Sequence, residues 1–383
     1  MSNSKSILIT LYGHPGYYPP TLNLIRCTAS RFDKVTVLSR NFLQADRKFP
    51  PNVKVMEVGP FMSIRDSERI PISQKIYYFF QYTWSLGREL LGNSYSWLVL
   101  CDTIPTLSYK ILRLVLPKGT KLWYHNHDVS ELKAHRLFSI GWFAYHSEKS
   151  IFGQLNLFTL PADERKEYFP MHKLQGKYGF LPNYPSFLFY SQFSKAKESR
   201  KATRILFQGS IGPGHGFEDI LRTMATQKDI QNWELILAGK GDECYLDNLM
   251  NLSKNLGVDD SFEWVGYIPY MNLPFTTGSC HIGLGIYTGL DVMNQTVGTA
   301  SNKIYEYAAM GLPVLVHDTP YWRNLLGKFD WCFFTDLSQE SLIQTISDIV
   351  LDYSRYSQSA QSSFQKHLNF EKYFEQLLPI LES

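Results

Sequence analysis

Short runs of aliphatic and β-branched residues recur along the chain, each followed by a spacer long enough for a helix. In the first half they fall at Ser6–Leu11, Lys34–Leu38, Val53–Val58, Trp97–Cys101, Lys121–Tyr124 and Leu155–Leu160. In the second they fall at Thr203–Gln208, Glu234–Ala238, Phe262–Val265, His281–Leu284, Val314–Val316 and Trp331–Phe334. Strands alternating with helices predict parallel βαβ units, hence an α/β protein with two doubly wound, Rossmann-like sheets. Ligands of such sheets bind outside the carboxyl ends of the strands, and two sheets facing one another would create an interdomain cleft there. The residues that follow each strand therefore carry the functional expectation.

The run Phe180-Leu-Pro-Asn-Tyr-Pro185 and the charged run 195–201 have turn-rich, solvated chemistry, which puts a domain boundary near residues 185–202. This divides the chain into an N-terminal domain over 1–188, a C-terminal domain over 189–365 and a terminal segment over 366–383. In that last segment Phe370, Tyr373, Phe374, Leu377 and Leu378 recur at helical spacing and predict one amphipathic helix.

A chain of 383 residues exceeds what one hydrophobic core usually holds, in keeping with two domains. Its five cysteines are scattered and contain no C-x-x-C pair, which disfavours a disulfide framework or a cysteine-rich zinc site and fits a reducing compartment. The opening MSNSKSILIT lacks the basic start and cleavage site of a secretory leader, so a cytoplasmic protein is expected. The longest charge-free stretch, 264–290, is interrupted by five glycines and two prolines, too many for a membrane-spanning helix.

The net charge of +3 conceals a division. Residues 1–190 hold 23 Lys and Arg against 13 Asp and Glu, a balance of +10, whereas residues 191–383 hold 15 against 22, a balance of −7. A basic first half suits an anionic partner such as a phosphorylated acceptor or an acidic membrane surface. Nucleic acid is not expected as a partner, because no zinc-finger, RNP or long basic-run signature is present. The same charges also fit two ordinary solvated surfaces.

The most informative segment is Ser301-Asn-Lys-Ile-Tyr-Glu-Tyr-Ala-Ala-Met-Gly-Leu-Pro-Val-Leu315. Ser301 is a candidate N-cap, and Gly311 a candidate left-handed terminator for a short helix. The free amides of its first turn, with Lys303 beside them, would make a phosphate site. Glu306, three residues after Lys303, lies on the same side of the helix, where its carboxylate could accept both hydrogens of a ribose diol. An ordinary exposed helix pair would look the same in sequence. Two further strand ends add to the first reading. Gln208-Gly-Ser-Ile-Gly-Pro-Gly-His-Gly216 offers loop amides with Gly209, Ser210 and His215 as donors, and Ala238-Gly-Lys-Gly-Asp242 presents Lys240. The loop Val265-Gly-Tyr-Ile-Pro269, with Tyr267 and Ile268, suits a flat base.

In this order the segments resemble the retaining GT-B glycosyltransferases of the glycosyl transferases group 1 family. The resemblance implies a GT-B-like fold, a nucleoside diphosphate sugar as donor substrate with no other cofactor and no metal, and an acceptor bound by the first domain. It implies ribose binding by Glu306, diphosphate or sugar contacts from Ser301, Asn302 and Lys303, base binding at 267–269, and a terminal helix that crosses back to the N-terminal domain. Where many members carry a second glutamate, this chain has Gly298, and Asp291 is the nearest acidic candidate. Where many carry an Arg and a Lys in the first loop of the domain, it has Gln208, Ser210 and His215, so that Lys240 or Lys303 would supply the charge.

In the first half, Leu11-Tyr-Gly-His-Pro-Gly-Tyr-Tyr-Pro-Pro20 follows the first strand, and His14 could serve there as a general base. Inverting GT-B enzymes often have a histidine in a comparable loop, which keeps an inverting mechanism open, as does the alternative of a loop histidine bonded to backbone. Trp123-Tyr-His-Asn-His-Asp128 closes another strand. His125, His127 and Asp128 form too small a set to argue for a metal. The segment resembles the short His motif whose histidine touches the transferred sugar in the retaining family, and His127 is the match. The aromatic stretches Ile76–Trp84 and Leu137–Tyr145 read mainly as core; a second reading lays one of them on an anionic membrane carrying a lipid-linked acceptor, peripheral at the inner face.

The expected activity is glycosyl transfer to a hydroxyl of a glycan or lipid-linked glycan, with retention. The competing readings are a GT-B-fold epimerase, a phosphorylase or a non-catalytic nucleotide-sugar-binding subunit.

Overall fold

The computed structural model describes residues 5–42, 48–116, 119–193, 202–289 and 292–383. The apolar runs become strands, and those at the centre of each sheet are buried on both faces, as parallel sheets covered by helices require. In the first unit these are β1 (Ser6–Leu11), β2 (Lys34–Phe42), β3 (Val53–Met62), β4 (Trp97–Cys101), β5 (Lys121–His125), β6 (Leu157–Leu160) and β7 (Lys177–Phe180). They pair in parallel in the order β3-β2-β1-β4-β5-β6-β7. The second unit has β8 (Thr203–Gln208), β9 (Trp233–Ala238), β10 (Phe262–Gly266), β11 (Ile282–Gly285), β12 (Val314–His317) and β13 (Cys332–Thr335). Its order is β10-β9-β8-β11-β12-β13, also parallel.

Both sheets have the 3-2-1-4-5 Rossmann arrangement, so each reverses its strand order once. The reversal lies between β1 and β4 in the first unit and between β8 and β11 in the second. Loops leaving those two strands diverge to opposite faces and open a crevice at the carboxyl edge.

The chain separates into one unit of residues 1–183 with 370–383, and another of 184–369. The first division falls five residues before the position read from the sequence, and the return falls four after it. The sequence reading also missed β7. Its short, mixed run, Lys-Tyr-Gly-Phe, pairs with β6 along only one edge, which asks for little hydrophobic pattern.

The terminal segment also differs from expectation. In place of one helix there are three pieces, Tyr353–Lys366, Phe370–Glu375 and Leu378–Glu382. Asn369 interrupts the first junction, its side-chain amide donating to the carbonyls of Phe364 and Gln365. Phe370, Phe374, Leu377 and Leu381 pack into the first unit's core with β1, β4 and β5, and Trp97 donates its indole N–H to the Leu381 carbonyl at 2.9 Å.

The aromatic stretches are corrected more strongly. Of the rings in Ile76–Trp84 and Leu137–Tyr145, only Phe79 and Tyr82 are buried; Tyr77, Phe80, Trp84, Phe138 and Phe143 face solvent. Periodicity alone cannot distinguish a core face from a bare one when a helix is apolar on both.

Candidate active site

In the second unit the crevice is built by the loop after β8, the loop after β11 and the helix Asn302–Ala309. Gly311 adopts φ 72°, and the amides of Gly311 and Leu312 return to the carbonyls of Ala308 and Tyr307, which ends the helix as expected. Ser301 occupies the N-cap position without capping. Its Oγ instead meets the Tyr287 hydroxyl at 3.0 Å. Asn302, half-buried, opens the first turn.

Glu306 is buried, and its Oε2 accepts from Gln208 Nε2 at 2.6 Å. Gln208 Oε1 accepts from the Thr277 hydroxyl at 2.8 Å, so the amide is held with its NH2 on the carboxylate. Burial pushes the Glu306 carboxyl up to about 7, against the opposing pulls of Gln208, Lys303 and Tyr190. Lys303 is only half-buried, and its Nζ lies 3.9 Å from the centre of the Phe207 ring and 4.9 Å from that of Tyr287. Desolvation lowers its pKa to about 7, opposed by Glu306. The two are coupled through space, and the ion pair that their spacing allowed does not form. An anion placed at Lys303 would restore its full charge.

The loop after β8 behaves differently from expectation. The amides of Gly209 and Ile211 are already used, donating to the carbonyls of Ala238 and Lys240 at 2.9 and 2.8 Å. Gly239, at φ 156°, permits this close approach, since a Cβ there would stand 1.7 Å from the Gly209 oxygen. Ser210 is exposed at the loop's tip. His215 does not supply a positive donor. Its Nδ1 lies 2.7 Å from the Ile286 carbonyl, which can only accept, so Nδ1 holds the proton and Nε2 of the neutral ring is an acceptor. Burial, then Lys303, lower its pKa to about 4.

Lys240 is exposed and its Nζ sits 4.6 Å above the Tyr267 ring, which places these two residues together with half-buried Ile268 beside them in sequence. Asp291 lies outside the described residues. At Gly298 the space of a side chain is filled: a Cβ would come within 2.2 Å of the Tyr321 hydroxyl. The absent glutamate is thus a closed position as well as a missing charge.

In the first unit, β1, β4 and β5 deliver their ends to the same edge. His14 is fully buried, with Nδ1 accepting from the Gly16 amide at 3.0 Å and Nε2 2.8 Å from Glu57 Oε1. Both ring nitrogens have partners, in keeping with the loop-histidine alternative. His127, also buried, likewise has a partner at each ring nitrogen. Its Nδ1 lies 3.1 Å from Asp102 Oδ2, its backbone N–H donates to Asp102 Oδ1 at 2.8 Å, and Nε2 lies 3.1 Å from Thr21 Oγ1. Burial disfavours the charged ring, but the Asp102 carboxylate more than offsets it, and the His127 pKa is raised. Arg165, buried, donates to the His127 carbonyl at 2.5 Å.

Asp102 was missed by sequence reasoning, although it follows β4 just as His127 follows β5. Its backbone is at φ 65°, ψ −172°, a region that residues other than glycine rarely occupy and that persists only where surrounding bonds enforce it. Gln208 was read only as a replacement for a basic residue, and Thr277, within the helix Leu273–Gly278, and Arg165 left no signal. Among the described residues no group of three or more His, Cys, Asp or Glu stands together as a metal site.

This crevice, with lysine and carboxylate at the start of one short helix opposite a glycine loop, is the arrangement implied by the family resemblance. Residues 190–366 match the family Glycosyl transferases group 1. Glycosyl transfer is the activity class that this match supports. No curated protein matches it in sequence. Solved structures share its fold along nearly the whole length. Sucrose-phosphate synthase from Thermosynechococcus elongatus is 14% identical with a TM-score of 0.71, covering 99% of this chain and 98% of that one. Anabaena HepE, solved in complex with UDP and glucose, is 14% identical with a TM-score of 0.65 and full coverage of both chains. WaaG, a glycosyltransferase involved in lipopolysaccharide biosynthesis, is 14% identical with a TM-score of 0.65, covering 98% and 99%. At these identities the likeness is one of fold, and the fold is GT-B.

Proposed function

We propose that this chain is a glycosyltransferase that moves a sugar from a nucleoside diphosphate sugar to a hydroxyl of a glycan or lipid-linked glycan, with retention and without a metal. The observation that carries the reading is the pairing of buried, Gln208-oriented Glu306 with half-buried Lys303 in one turn of the Asn302–Ala309 helix. Glu306 would accept the ribose diol. Lys303, with Asn302 and the helix amides, would meet the diphosphate, and the loop of Tyr267 and Ile268 with Lys240 would take the base. The fold neighbour from Anabaena, which binds UDP, supports a uridine nucleotide as the first ligand to try.

As the glycosidic bond breaks, negative charge develops on the leaving diphosphate. Lys303 and the amide dipoles stabilise it where it forms, which lowers the barrier without a cation. In the first unit His127, held by Asp102, would orient the transferred sugar. Departure and attack on one face is the route that the family resemblance implies. The scattered cysteines, with no C-x-x-C pair, support a reducing, cytoplasmic setting.

A thermal-shift screen of nucleotides and nucleotide sugars tests the reading, because a ligand that prefers the native state raises the melting temperature by mass action. A uridine or guanosine diphosphate sugar is expected to stabilise the protein, and NMR of the product's anomeric proton then reads the stereochemistry. If no nucleotide sugar raises the melting temperature, the proposal is wrong.

A further inference from the structure

The helix Ile72–Gly92 is apolar almost all the way round. Phe79, Tyr82, Leu86 and Leu90 turn one side into the core of the first unit. Ile72, Ile76, Tyr77, Phe80, Trp84 and Leu91 remain exposed, Trp84 by 68%, Tyr77 by 63% and Phe80 by 56%. At 3.6 residues per turn the 72, 76, 80, 84 spacing forms a stripe, and the helix is about 30 Å long. A helix on a water-facing surface carries polar residues there; here the exposed ones are Ser73 and Gln74 in the first turn and Gln81 and Arg88 further on, beside the apolar stripe.

The bare surface continues sideways. The helix Thr103–Leu112 packs beside Ile72–Gly92, with Gly87 facing Leu112, and leaves Ile111, Leu114 and Val115 exposed. The helix Ile140–Ser150 packs on its other side, with Phe138 and Phe143 exposed.

The charges of this layer have one sign toward solvent. The three helices contain two acids, Glu89 and Glu148, and both are buried, accepting from the hydroxyls of Tyr95 and Tyr124. Arg88, and Arg113 just past the second helix, are exposed.

We propose that this helical layer is the surface by which the protein lies on an anionic lipid bilayer, with Tyr77, Phe80 and Trp84 entering the headgroup region. Aromatic and aliphatic side chains flanked by cations match the chemistry of that interface. A second copy fits less well, because a two-fold contact would set the same cationic patch against itself. No helix among the described residues is long and apolar enough to cross a membrane, so the layer lies on the surface. The inference rests on the proposed function only in its purpose, which is to hold the enzyme where a lipid-linked acceptor is presented.

Flotation of the full chain with phosphatidylcholine vesicles, with and without phosphatidylglycerol, tests it. Binding is expected only with the anionic lipid, weakening as salt rises. The double variant Phe80→Ser, Trp84→Ser should lower the partition by about tenfold or more, the scale of withdrawing one large apolar side chain from water. Its melting temperature and its stabilisation by nucleotide sugar should stay as in the parent. Absence of binding to anionic vesicles, or equal binding by the variant, overturns the proposal. So does a dimer in sedimentation equilibrium that the variant dissolves while vesicles bind neither protein. The nucleotide shift reports separately on the transferase reading, so either idea can fail alone.

Discussion

At Glu306 a single carboxylate does two jobs, closing a buried hydrogen-bond chain through Gln208 to Thr277 and presenting an acceptor to the crevice. Replacing it by alanine is expected to weaken donor binding by about 1.5–3 kcal/mol, the range of a charge-assisted hydrogen bond, or roughly ten- to 150-fold in Kd. Calorimetry on the folded variant measures this, and an unchanged Kd would remove Glu306 from the site. Asp102 makes a second prediction with a sign in pH. Because its carboxylate holds the His127 pKa above the ordinary 6.5, their pairing stabilises the fold fully below that value and ceases to as pH rises through the raised one. Asp102→Asn keeps an acceptor for the His127 amide and loses the charge. Its stability deficit in urea should therefore be largest near about pH 5.5 and shrink toward about pH 9; a deficit independent of pH would mean the charge is irrelevant. Glu306 and Lys303 drew attention in the sequence because a helix start after a strand has few chemical meanings. Asp102 did not, since an isolated aspartate after an apolar run reads as a helix cap. The partners of His14 were hidden because a sequence displays a ring but not the groups around its nitrogens.

Among the elements, the helix Asn302–Ala309 owes its position to a missing side chain. Gly283 on β11 leaves room for the Tyr307 ring, which a Cβ would approach to 2.2 Å, and the Tyr307 hydroxyl accepts from the Gln208 amide at 2.9 Å. Gly283→Ala should push the helix off the sheet, costing about 1–3 kcal/mol as overpacked cores do and lowering Tm by several degrees. Lys303 and Glu306 ride on that helix, so donor affinity should fall together with Tm; a fall in Tm alone would show that the helix position does not set the site. The central strands of both sheets were legible as elements because burial on both faces makes them continuous apolar runs, as in β1 and β8. The edge strand β7 was hidden by needing only one good side, and the broken terminal segment by a periodicity that runs on across Asn369. The exposed stripe of Ile72–Gly92 is the same ambiguity with the opposite outcome.

For the molecule as a whole, the first unit is discontinuous in sequence. Phe370, Phe374, Leu377 and Leu381 complete its core, and their burial is worth on the order of 10 kcal/mol, comparable with the entire stability of a domain. Deleting residues 370–383 should leave the first unit open to limited proteolysis while residues 184–369 stay resistant. Equal resistance of both units would show that the tail is dispensable.

That same return of the chain imposes an order on biosynthesis. The portion that leaves the ribosome first is the one that finishes last, since the patch left by β1, β4 and β5 waits uncovered while all of residues 184–369 are translated. A domain that closes on emergence hides its apolar surface at once; this one keeps it on show, open to aggregation, until residues 370–383 emerge.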